Sequence, residues 1–499
     1  MNRAERLARL LRVLAAIISE PGLNPLELAE KAGVSERTLR RDLAQLRDLG
    51  YEVAYTRGYE VQEKLNLEGK SRQKQARTRA DDALLQAVAN AVETAGLWRD
   101  ADGAGAPASA PAKKRKRGAI GKLPLVLIPA GENDADYTYA VGVPVETGLY
   151  VRFAEGDDVV VASSLEIDRV SQTSKAARKM SYADAGHGGG DDYTEMPRVA
   201  SRMLRERGVD SIRVSPRLQA AYLEGLRATG LDVVIDHDLF VSERRHKTPA
   251  EAEGIRQAQR AAEAAVREVV RHLAEAEIRD GLLWSDGRPL TSEYLYARAS
   301  LLLGELGHAC PDMIIAGSPD NAMPHFRGSG QIRAGAPVII DIFPVGRDSH
   351  QHGDLTRTVV VGEVPEVIRR MHGATLQALD AAIETISAGV PASDVHNMAC
   401  QVLVDRGFAT TTKGYEGQEG VATMNHSTGH GVGLEVHEAP GVRGANHEPL
   451  RPGDVITVEP GLYQMELGGV RIEDTGMVTE NGFENFTTIT RSLDPRDYL

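Results

Sequence analysis

Short apolar stripes separated by turn residues run through the beginning of the chain. Leucines at helical spacing in residues 7–14 predict a first helix, and Asn24-Pro25 supplies the cap and the first turn of a second. A third helix is predicted over residues 36–49, with Ser35 as its cap. The segment that follows, YEVAYTRGYEV, predicts two short strands around a turn.

The third helix carries leucines on one face and arginines mostly off that face. A helix, a tight glycine turn and a second, basic helix form a helix-turn-helix, whose arginines can reach guanine edges and phosphates in the major groove. The segment LNPLELAEKAGVSERTLRRDLAQLRDLGYEVAYTRGYEV resembles the winged helix-turn-helix of DeoR-like bacterial regulators. The resemblance implies DNA contacts by Ser35, Arg37, Thr38, Arg40, Arg41 and, in the wing, Arg57. Dimerisation or protein contact is the alternative role of such a domain.

Residues 65–122 differ in composition from both neighbouring segments. An amphipathic helix is predicted over residues 77–98, and residues 99–118 are poor in large apolar side chains and rich in Ala, Gly, Pro and charge. This composition predicts a helix followed by a flexible linker. The basic run 113–117 resembles a nuclear localisation signal, although a solvated tether has the same composition.

From residue 123 onward, buried-type strands alternate with helices. The strands are expected in LPLVLIPAG, GLYVRF and DVVVASSLE, with helices over 195–207 and 216–229 and a further strand over 231–235. This alternation predicts an α/β domain over residues 123–245. A long helix over residues 249–276 then opens the largest region, residues 246–499.

Composition and charge narrow the class of protein. The 499 residues suffice for about three domains, and the 42% hydrophobic and 26% charged residues are typical of globular proteins. Two cysteines, Cys310 and Cys400, are too few for a disulfide scaffold, and the absence of a run of about 18 apolar residues argues against a membrane span. We therefore expect a cytoplasmic protein.

The charge is unevenly distributed along the chain. The net charge is −13, yet residues 1–122 carry 23 basic and 16 acidic side chains. We therefore expect any contact with nucleic acid to involve only this first part of the chain.

Four carboxylates and one histidine in the last region stand at or beside strands rich in Val and Ile, which would hold them on rigid backbone. They are Asp341 after PVII, Asp354 in GDLTRT, His430 in STGHGVGLEVHE, Glu459 in VITVEPGLY and Glu473 in GGVRIEDT. An oxygen-rich set of this kind suits Mn, Fe or Co better than a thiolate zinc site does. Four negative charges balance two divalent cations, and bridging carboxylates would set the metals about 3.5–4 Å apart, where they activate water.

Other polar groups occur in the same motifs. His325 lies in NAMPHFRG, His437 lies seven residues after His430, and Arg471 lies two residues before Glu473. A histidine that binds no metal can donate to a carbonyl oxygen or a tetrahedral intermediate. We expect the remaining histidines of this region to be ordinary surface or core groups: His350, His352, His372, His396 and His447.

Together these motifs resemble the pita-bread metallopeptidases, the family of prolidase and aminopeptidase P. The order of His325, Asp341, Asp354, His430, His437, Glu459 and Glu473 is that of the family, as are GHGVGLEVHEAP, VEPGLY and GGVRIEDT. The resemblance implies an α+β pita-bread catalytic domain, with residues 123–245 as a creatinase-type N-terminal domain. A metal-free creatine amidinohydrolase has lost ligands that this chain keeps, and methionine aminopeptidases lack the creatinase-type domain.

The resemblance also implies roles for the site residues. Asp341, Asp354 and Glu473 would bind one metal, with Asp354 and Glu473 bridging to a second. His430 and Glu459 would complete the second metal site, and Glu459 would also shuttle a proton. His325 and His437 would contact the scissile amide. Manganese is the expected metal, with cobalt, iron or zinc as alternatives. The chain departs from the family pattern at Phe343, where a glycine is usual, and in a longer hairpin between Asp341 and Asp354.

These observations predict a multidomain chain: a winged helix-turn-helix over 1–64, a helix and linker over 65–122, the creatinase-type domain over 123–245 and the peptidase domain over 246–499. We expect an exopeptidase for Xaa-Pro peptides, with Arg471, Arg443 and His426 on the substrate side of the site. Arg443, in HEAPGVRG, favours a dipeptidase over an aminopeptidase because a dipeptide presents a free carboxylate. The alternative is a transcription regulator that senses a peptide or amino acid without turnover. A homodimer is expected in either case.

Overall fold

The computed structural model describes residues 120–499 and, before them, two short strands and six single positions. The chain divides into two compact units, Met1–Ala112 and Lys113–Leu499. In the first unit, β1 (Val53–Tyr55) and β2 (Tyr59–Val61) form the antiparallel hairpin that the sequence predicts. The helical Leu39 and Leu43 are buried.

Several sequence predictions fall outside the described residues. This holds for the six residues predicted to contact DNA, which are Ser35, Arg37, Thr38, Arg40, Arg41 and Arg57. It also holds for the helix and linker predicted between residues 65 and 119. These features stay predictions.

A six-stranded mixed sheet, ordered β6-β5-β4-β3-β7-β8, forms the first part of the second unit. The strands are β3 (Leu125–Leu127), β4 (Gly148–Arg152), β5 (Asp158–Ala162), β6 (Arg178–Ser181), β7 (Ser211–Val214) and β8 (Asp232–Ile235). The helices are α1 (Ala135–Val141), α2 (Ile167–Thr173), α3 (Asp192–Arg205) and α4 (Ala220–Ala228). Both faces of the sheet are covered, because Val126 packs into one core and Leu125 and Leu127 into another.

One predicted helix is shorter than the sequence pattern suggests. We expected a helix over residues 216–229, but α4 begins at Ala220. The preceding residues form a turn in which the backbone N–H of Leu218 donates to the carbonyl of Ser215, and the N–H of Arg217 donates to the Ser215 hydroxyl. A serine that bonds locally to the backbone competes with helix formation in this way.

The remaining helices are α5 (Val241–Arg245), α6 (Pro249–Ala274), α7 (Ser292–Glu305), α8 (Glu366–Thr385) and α9 (Ala392–Asp405). The long helix α6 begins with a capping box, in which Thr248 and Glu251 each accept a hydrogen bond from the other's backbone N–H. Pro249 occupies the first helical position, where its missing N–H costs nothing. Among the described residues, no helix is both long and apolar enough to cross a bilayer.

The strands of this region form five sheets, of which one has five strands, one has four, two have three and one has two. The first half contains β9 (Glu277–Arg279), β10 (Leu282–Ser285), β11 (Arg288–Pro289), β12 (His308–Ala309), β13 (Ile314–Gly317), β14 (Pro337–Ile342), β15 (Val345–Gly346) and β16 (Leu355–Val360). The second half contains β17 (Ala409–Thr410), β18 (Thr423–Met424), β19 (Gly429–Gly431), β20 (Glu438–Val442), β21 (Val455–Val458), β22 (Gly461–Gln464), β23 (Gly468–Arg471), β24 (Asp474–Thr479) and β25 (Gly482–Asn485).

Each half packs one pair of long helices against its own strands. In the first, α6 and α7 share a core with the sheet β13-β14-β16. In the second, α8 and α9 share a core with strands of the sheets β17-β18-β22-β23 and β20-β19-β21-β24-β25. The strands of the two halves meet along β14 and β16 on one side and β23 and β24 on the other.

A fully buried arginine joins the two halves where they meet. Arg357, in β16, is 1% exposed, and its guanidinium makes five hydrogen bonds. Nη2 donates to Oδ1 of Asp474 in β24 at 2.9 Å, and Nη1 donates to the backbone carbonyl of Glu473 at 2.5 Å. Nε donates to the carbonyl of Thr490 at 2.8 Å. Arg357 therefore binds strand β24 and the C-terminal segment to the first half.

We predict that Arg357→Met lowers the free energy of unfolding by about 3 kcal/mol, because Asp474 would keep its buried charge after losing a partner. Urea denaturation of the full chain measures this. The control is Arg260→Met, which removes an exposed ion pair with Glu253 and is expected to change stability by no more than about 0.5 kcal/mol. An equal effect of the two substitutions would contradict this role for Arg357.

Candidate metal centre and active site

The five residues predicted as metal ligands all lie in strands or directly at strand ends. Asp341 lies in β14, and Asp354 immediately precedes β16, the antiparallel neighbour of β14. His430 lies in β19, Glu459 directly follows β21, and Glu473 directly precedes β24. Since β21 pairs with both β19 and β24, the second half supplies three of the residues from one sheet. The first half supplies the other two.

The two halves bring these side chains into one buried cluster. Ligand atoms of Asp354, His430 and Glu473 all lie within 4.8 Å of one another. Nε2 of His430 is 3.6 Å from Oδ2 of Asp354 and 3.6 Å from Oε1 of Glu459. Asp341 is close enough that its charge acts on Asp354, Glu459 and Glu473. The structure therefore brings all five predicted ligands together.

One oxygen of the cluster lacks a partner. Oδ2 of Asp341 accepts a hydrogen bond of 2.5 Å from Nη2 of Arg471, but Oδ1 is buried and has no hydrogen-bond partner in the described part of the chain. A buried acceptor left in this state costs about 1–3 kcal/mol. A cation would satisfy it, and carboxylate and imidazole ligands suit divalent metals such as Mn²⁺. The residues present thus fit a divalent metal centre.

Burial and mutual repulsion shift the pKa values of the carboxyl groups upward. Desolvation, followed by the charges of neighbouring carboxylates, holds the pKa of Asp354 and of Glu473 well above the usual range. Desolvation raises the pKa of Glu459 to about 8, although the charge of Arg471 opposes the shift. Without a metal the cluster therefore retains protons at neutral pH, because the carboxylates cannot all be charged in so small a space.

His430 is held in the form that binds metals. Desolvation, with a further contribution from His437, lowers its pKa to about 3, so the ring is neutral. Its Nδ1 lies 3.1 Å from the carbonyl of Gly431, to which the neutral ring donates. The Nε2 lone pair then faces Asp354 and Glu459. A backbone hydrogen bond of this type fixes the tautomer of a metal-binding histidine.

The two predicted catalytic histidines lie beside the cluster. The ring of His437 packs edge-on against that of His430, with 4.2 Å between ring centroids. Desolvation and then the charge of His325 lower the pKa of His437. His325 is exposed and follows the 3-10 turn Asp320–Ala322. Both histidines therefore border the opening of the site rather than its floor.

Arg471 and His426 are connected through a tyrosine that the sequence analysis missed. Arg471 is 3% exposed, and Nη1 donates to the hydroxyl of Tyr463 at 2.8 Å. Nε2 of His426 lies 3.0 Å from the same hydroxyl. Desolvation raises the pKa of Tyr463 to about 12. The available signal was the position of Tyr463, four residues after Glu459 in VEPGLY.

Every nitrogen of Arg471 is engaged by protein groups. Besides Tyr463 and Asp341, its Nε donates to the hydroxyl of Thr356 at 3.2 Å, and that hydroxyl donates to Oε2 of Glu473 at 2.7 Å. We expected Arg471 on the substrate side. In this structure it hydrogen-bonds the predicted ligand Asp341, and through the hydroxyl of Thr356 it is connected to Glu473.

A second overlooked residue lies in the long hairpin between Asp341 and Asp354. The backbone N–H of His352 donates to the carbonyl of Gly433 at 2.8 Å, which fastens the hairpin to the loop that carries His437. Nδ1 of His352 is buried without a hydrogen-bond partner among the described residues. We expected an ordinary histidine here, but only the folded structure shows that residue 352 reaches the His437 loop.

Ion pairs with the six-stranded part of the unit, and with the segment directly after it, also hold this loop in place. Nη2 of Arg244 donates to Oε2 of Glu435 at 2.8 Å and also to Glu438, on either side of His437. Lys247 binds the same Glu438, and Nη1 of Arg217 lies 2.6 Å from Oε1 of Glu435. The position of His437 thus depends on ion pairs with Arg217 and Arg244, which lie in the six-stranded part of the same unit and in the segment directly after it. Arg443 lies just beyond β20 and is exposed.

Comparison with known proteins assigns the chain to a family. The model of metallopeptidase family M24 matches residues 253–480, and that of an HTH domain matches residues 9–60. The Xaa-Pro dipeptidase of Pyrococcus horikoshii is 31% identical over 297 residues, which cover 57% of this chain and 75% of that protein. The chain belongs to metallopeptidase family M24. The M24 match contains all five predicted ligand residues together with His325 and His437, and the family implies divalent metal ions.

Solved structures share the M24 fold. The X-Pro aminopeptidase of Thermotoga maritima is 24% identical with a TM-score of 0.62, over 75% of this chain and 98% of that one. The prolidase of Pyrococcus horikoshii OT3 is 25% identical with a TM-score of 0.61, over 76% and 96%. A dipeptidase and an aminopeptidase thus match equally well, so the fold does not distinguish between the two substrate lengths.

The raised pKa values predict that metal binding to this M24 enzyme releases protons. Protons on Glu459, Asp354 and Glu473 compete with the metal, so affinity for Mn²⁺ is expected to rise with pH through the range around 8, where Glu459 loses its proton. Titration calorimetry in two buffers of different ionisation enthalpy measures the protons released. Glu459→Gln should release fewer protons and flatten the pH dependence between about 6 and 8. A heat of binding that is independent of the buffer would contradict the prediction.

Proposed function

We propose that this M24 enzyme is a dinuclear-metal exopeptidase that hydrolyses Xaa-Pro peptides, with a preference for dipeptides, and that its front domain binds DNA. One observation supports the peptidase activity above all: four carboxylates and a neutral histidine, drawn from two halves of the fold, lie in one cluster, and Oδ1 of Asp341 is buried there with no partner among the described residues. A purely structural cluster would not concentrate so many like charges in one buried place.

The domain plan belongs to the same proposal. Residues 1–64 would be the winged helix-turn-helix, 65–122 a helix and linker, 123–245 a creatinase-type domain and 246–499 the pita-bread peptidase. The six-stranded sheet and its contacts to the His437 loop support the third assignment. The proposal also includes that the protein is cytoplasmic and forms a homodimer.

Each site residue has a role in the proposed hydrolysis. Asp341, Asp354, His430, Glu459 and Glu473 would hold two metal ions, with manganese expected, which supply an activated water and polarise the scissile carbonyl. Glu459 takes a proton from the attacking water and returns it to the leaving nitrogen. His325 and His437, at the opening, donate to the carbonyl oxygen as charge develops there. Arg471 keeps Asp341 oriented through the bond to Oδ2.

The preference for dipeptides rests on Arg443. This cation is exposed beyond β20, the strand that begins one residue after His437. A dipeptide carries its free carboxylate one residue from the scissile bond, and a guanidinium recognises that group by paired hydrogen bonds. The names of the relatives in Pyrococcus horikoshii and Pyrococcus furiosus, both Xaa-Pro dipeptidases, agree with this choice.

We predict that the Mn²⁺-loaded full chain hydrolyses Ala-Pro with a higher kcat/KM than Ala-Pro-Ala. Asp354→Ala should lower kcat/KM by about 100-fold or more, because it removes a metal ligand. The matched control is Asp348→Ala, an exposed aspartate of the same hairpin, which should leave activity unchanged. Chromatography of the products measures both reactions, as proline released from Ala-Pro and Pro-Ala released from Ala-Pro-Ala.

The same assay tests Arg443. Arg443→Gln should raise KM for Ala-Pro about tenfold, the loss of one charged hydrogen-bonding contact, and leave KM for Ala-Pro-Ala unchanged. Arg406→Gln, an exposed arginine at the end of α9, is the matched control. Equal effects on both peptides would argue for an aminopeptidase. No hydrolysis of either peptide, with metal verified as bound, would instead support a regulator that senses peptides without turnover, which the HTH match favours as the second candidate.

DNA binding is expected from the HTH domain at residues 9–60. Replacing Arg37, Arg40 and Arg41 together with Ala should weaken binding to duplexes selected from a random pool by about 100-fold at fixed salt, because each base contact contributes about 1–3 kcal/mol. Peptide hydrolysis should not change. The triple substitution of Arg260, Arg347 and Arg406 removes the same charge from the second unit and serves as the control. Unaltered DNA affinity in the first variant would assign the domain to dimerisation or protein contact.

A further inference from the structure

A fully buried glutamine of the long helix α6 pairs with the backbone of a predicted metal ligand. Oε1 of Gln259 accepts a hydrogen bond of 2.9 Å from the backbone N–H of Asp354, and Nε2 donates to the backbone carbonyl of Asp354, also at 2.9 Å. A backbone N–H can only donate and a backbone carbonyl can only accept, so one orientation of the side-chain amide satisfies both groups. The proposed hydrolysis gives Gln259 no role.

The position of Asp354 in the sheet explains why it needs such a partner. The antiparallel pairing of β14 with β16 ends at the pair of Ile342 and Leu355, one residue short of Asp354. Asp354 is buried, so its backbone N–H and carbonyl require hydrogen bonds that no neighbouring strand provides. The amide of Gln259 takes the place of the missing strand. The hydroxyl of Thr475 donates to the same carbonyl at 2.7 Å.

A glycine allows the chain to come this close to the helix. A Cβ placed on Gly353 would lie 2.6 Å from the backbone nitrogen of Gln259 and 2.7 Å from the carbonyl carbon of Ala258. These are backbone atoms of a long helix, which cannot move aside as the end of a flexible side chain can. The segment that leads into Asp354 therefore lies directly against α6.

The same glutamine is connected to the second half of the fold. Its Nε2 also donates to the hydroxyl of Thr487 at 2.9 Å, and that hydroxyl accepts a hydrogen bond of 3.0 Å from the backbone N–H of Thr475 in β24. Thr475 lies two residues after Glu473. One buried network thus links α6 to Asp354 and to the strand that follows Glu473, and a network whose members are all satisfied is rigid.

We propose that Gln259 is a positioning residue of the metal centre. By fixing the backbone of Asp354, it sets the direction from which this carboxylate enters the cluster, and therefore the affinity of the site for metal. Gln259 acts only through Asp354. The inference rests on the proposed function, because it requires Asp354 to bind metal. Loss of a group that orients a metal ligand typically weakens metal affinity by about 10–100-fold.

The test removes the amide without shortening the side chain. Gln259→Met keeps the length and the helix propensity of the residue but offers neither the donor nor the acceptor. The matched control is Glu263→Met, one turn later in α6. Glu263 is also buried and accepts hydrogen bonds from the hydroxyl of Thr488 at 2.9 Å and the backbone N–H of Ile489 at 3.1 Å. Its replacement likewise breaks buried hydrogen bonds of α6, but none of those to Asp354.

Two measurements follow the effect on the full chain. Hydrogen exchange of the Asp354 amide, measured by mass spectrometry on the metal-free chain, reports the contact itself, and calorimetric titration with Mn²⁺ reports the metal affinity. Gln259→Met should raise the exchange rate by about tenfold or more, because the amide loses its acceptor. It should also weaken Mn²⁺ binding by about tenfold or more. Glu263→Met should leave both quantities unchanged and raise exchange at Ile489 instead.

A second variant disturbs the same contact from the other side. Gly353→Ala places a methyl group against the backbone of Ala258 and Gln259, which should displace Asp354 from the amide. We expect it to raise exchange at Asp354 and to weaken Mn²⁺ binding as Gln259→Met does. It provides the test if Gln259→Met does not fold.

The outcomes separate this inference from the proposed function. Mn²⁺ binding by the natural chain that Gln259→Met leaves equally tight, or that Glu263→Met weakens to the same extent, would overturn the role of Gln259 and leave the metal centre standing. Unchanged exchange at Asp354 in Gln259→Met would overturn it as well. A natural chain that binds no Mn²⁺ would refute the metal centre itself, and the role of Gln259 with it.

Discussion

The second unit is organised around the electrostatic cost of placing four carboxylates in one buried space. Asp341, Asp354, Glu459 and Glu473 repel one another, and water is too scarce among them to screen the repulsion. The fold compensates for only one of these charges directly, through the buried Arg471. The remaining excess explains why the cluster either keeps protons or binds cations. It also explains why a rigid scaffold is needed, since a flexible one would let the carboxylates separate.

Buried hydrogen bonds hold three of the four carboxylate residues in place: Glu473, Asp341 and, through Gln259, Asp354. Arg357 binds the backbone of Glu473, Thr356 binds its side chain, and Arg471 binds Asp341. The opening of the site is held by a residue that is distant in sequence. Arg244, in α5, forms ion pairs with Glu435 and Glu438, which lie on either side of His437 in its loop. The floor of the site is therefore part of the core, while the opening is fixed by ion pairs with the six-stranded part of the unit and with α5.

The five residues predicted as metal ligands could be selected from sequence because each sits in a local signal, a short Val- and Ile-rich strand followed or interrupted by a polar residue. Their role as ligands stays a prediction. The long helix α6 was predictable for the same reason, since Thr248, Pro249 and Glu251 mark its start within four residues. The roles of Tyr463, His352 and Arg244 were not, because each acts on a residue that only tertiary structure brings near.

The division of the ligands between two sheets has a consequence for the chain as a polymer. Asp341 and Glu473 are more than a hundred residues apart in sequence, and any ion that both hold closes a loop of that length. Closing so long a loop removes conformational freedom from the unfolded chain, which is how a disulfide acts. A bound metal in this enzyme is therefore a reversible crosslink as well as a reagent. The two cysteines, Cys310 and Cys400, are buried free thiols and form no disulfide. A metal ion held by both sheets would provide the crosslink that a disulfide provides in other proteins.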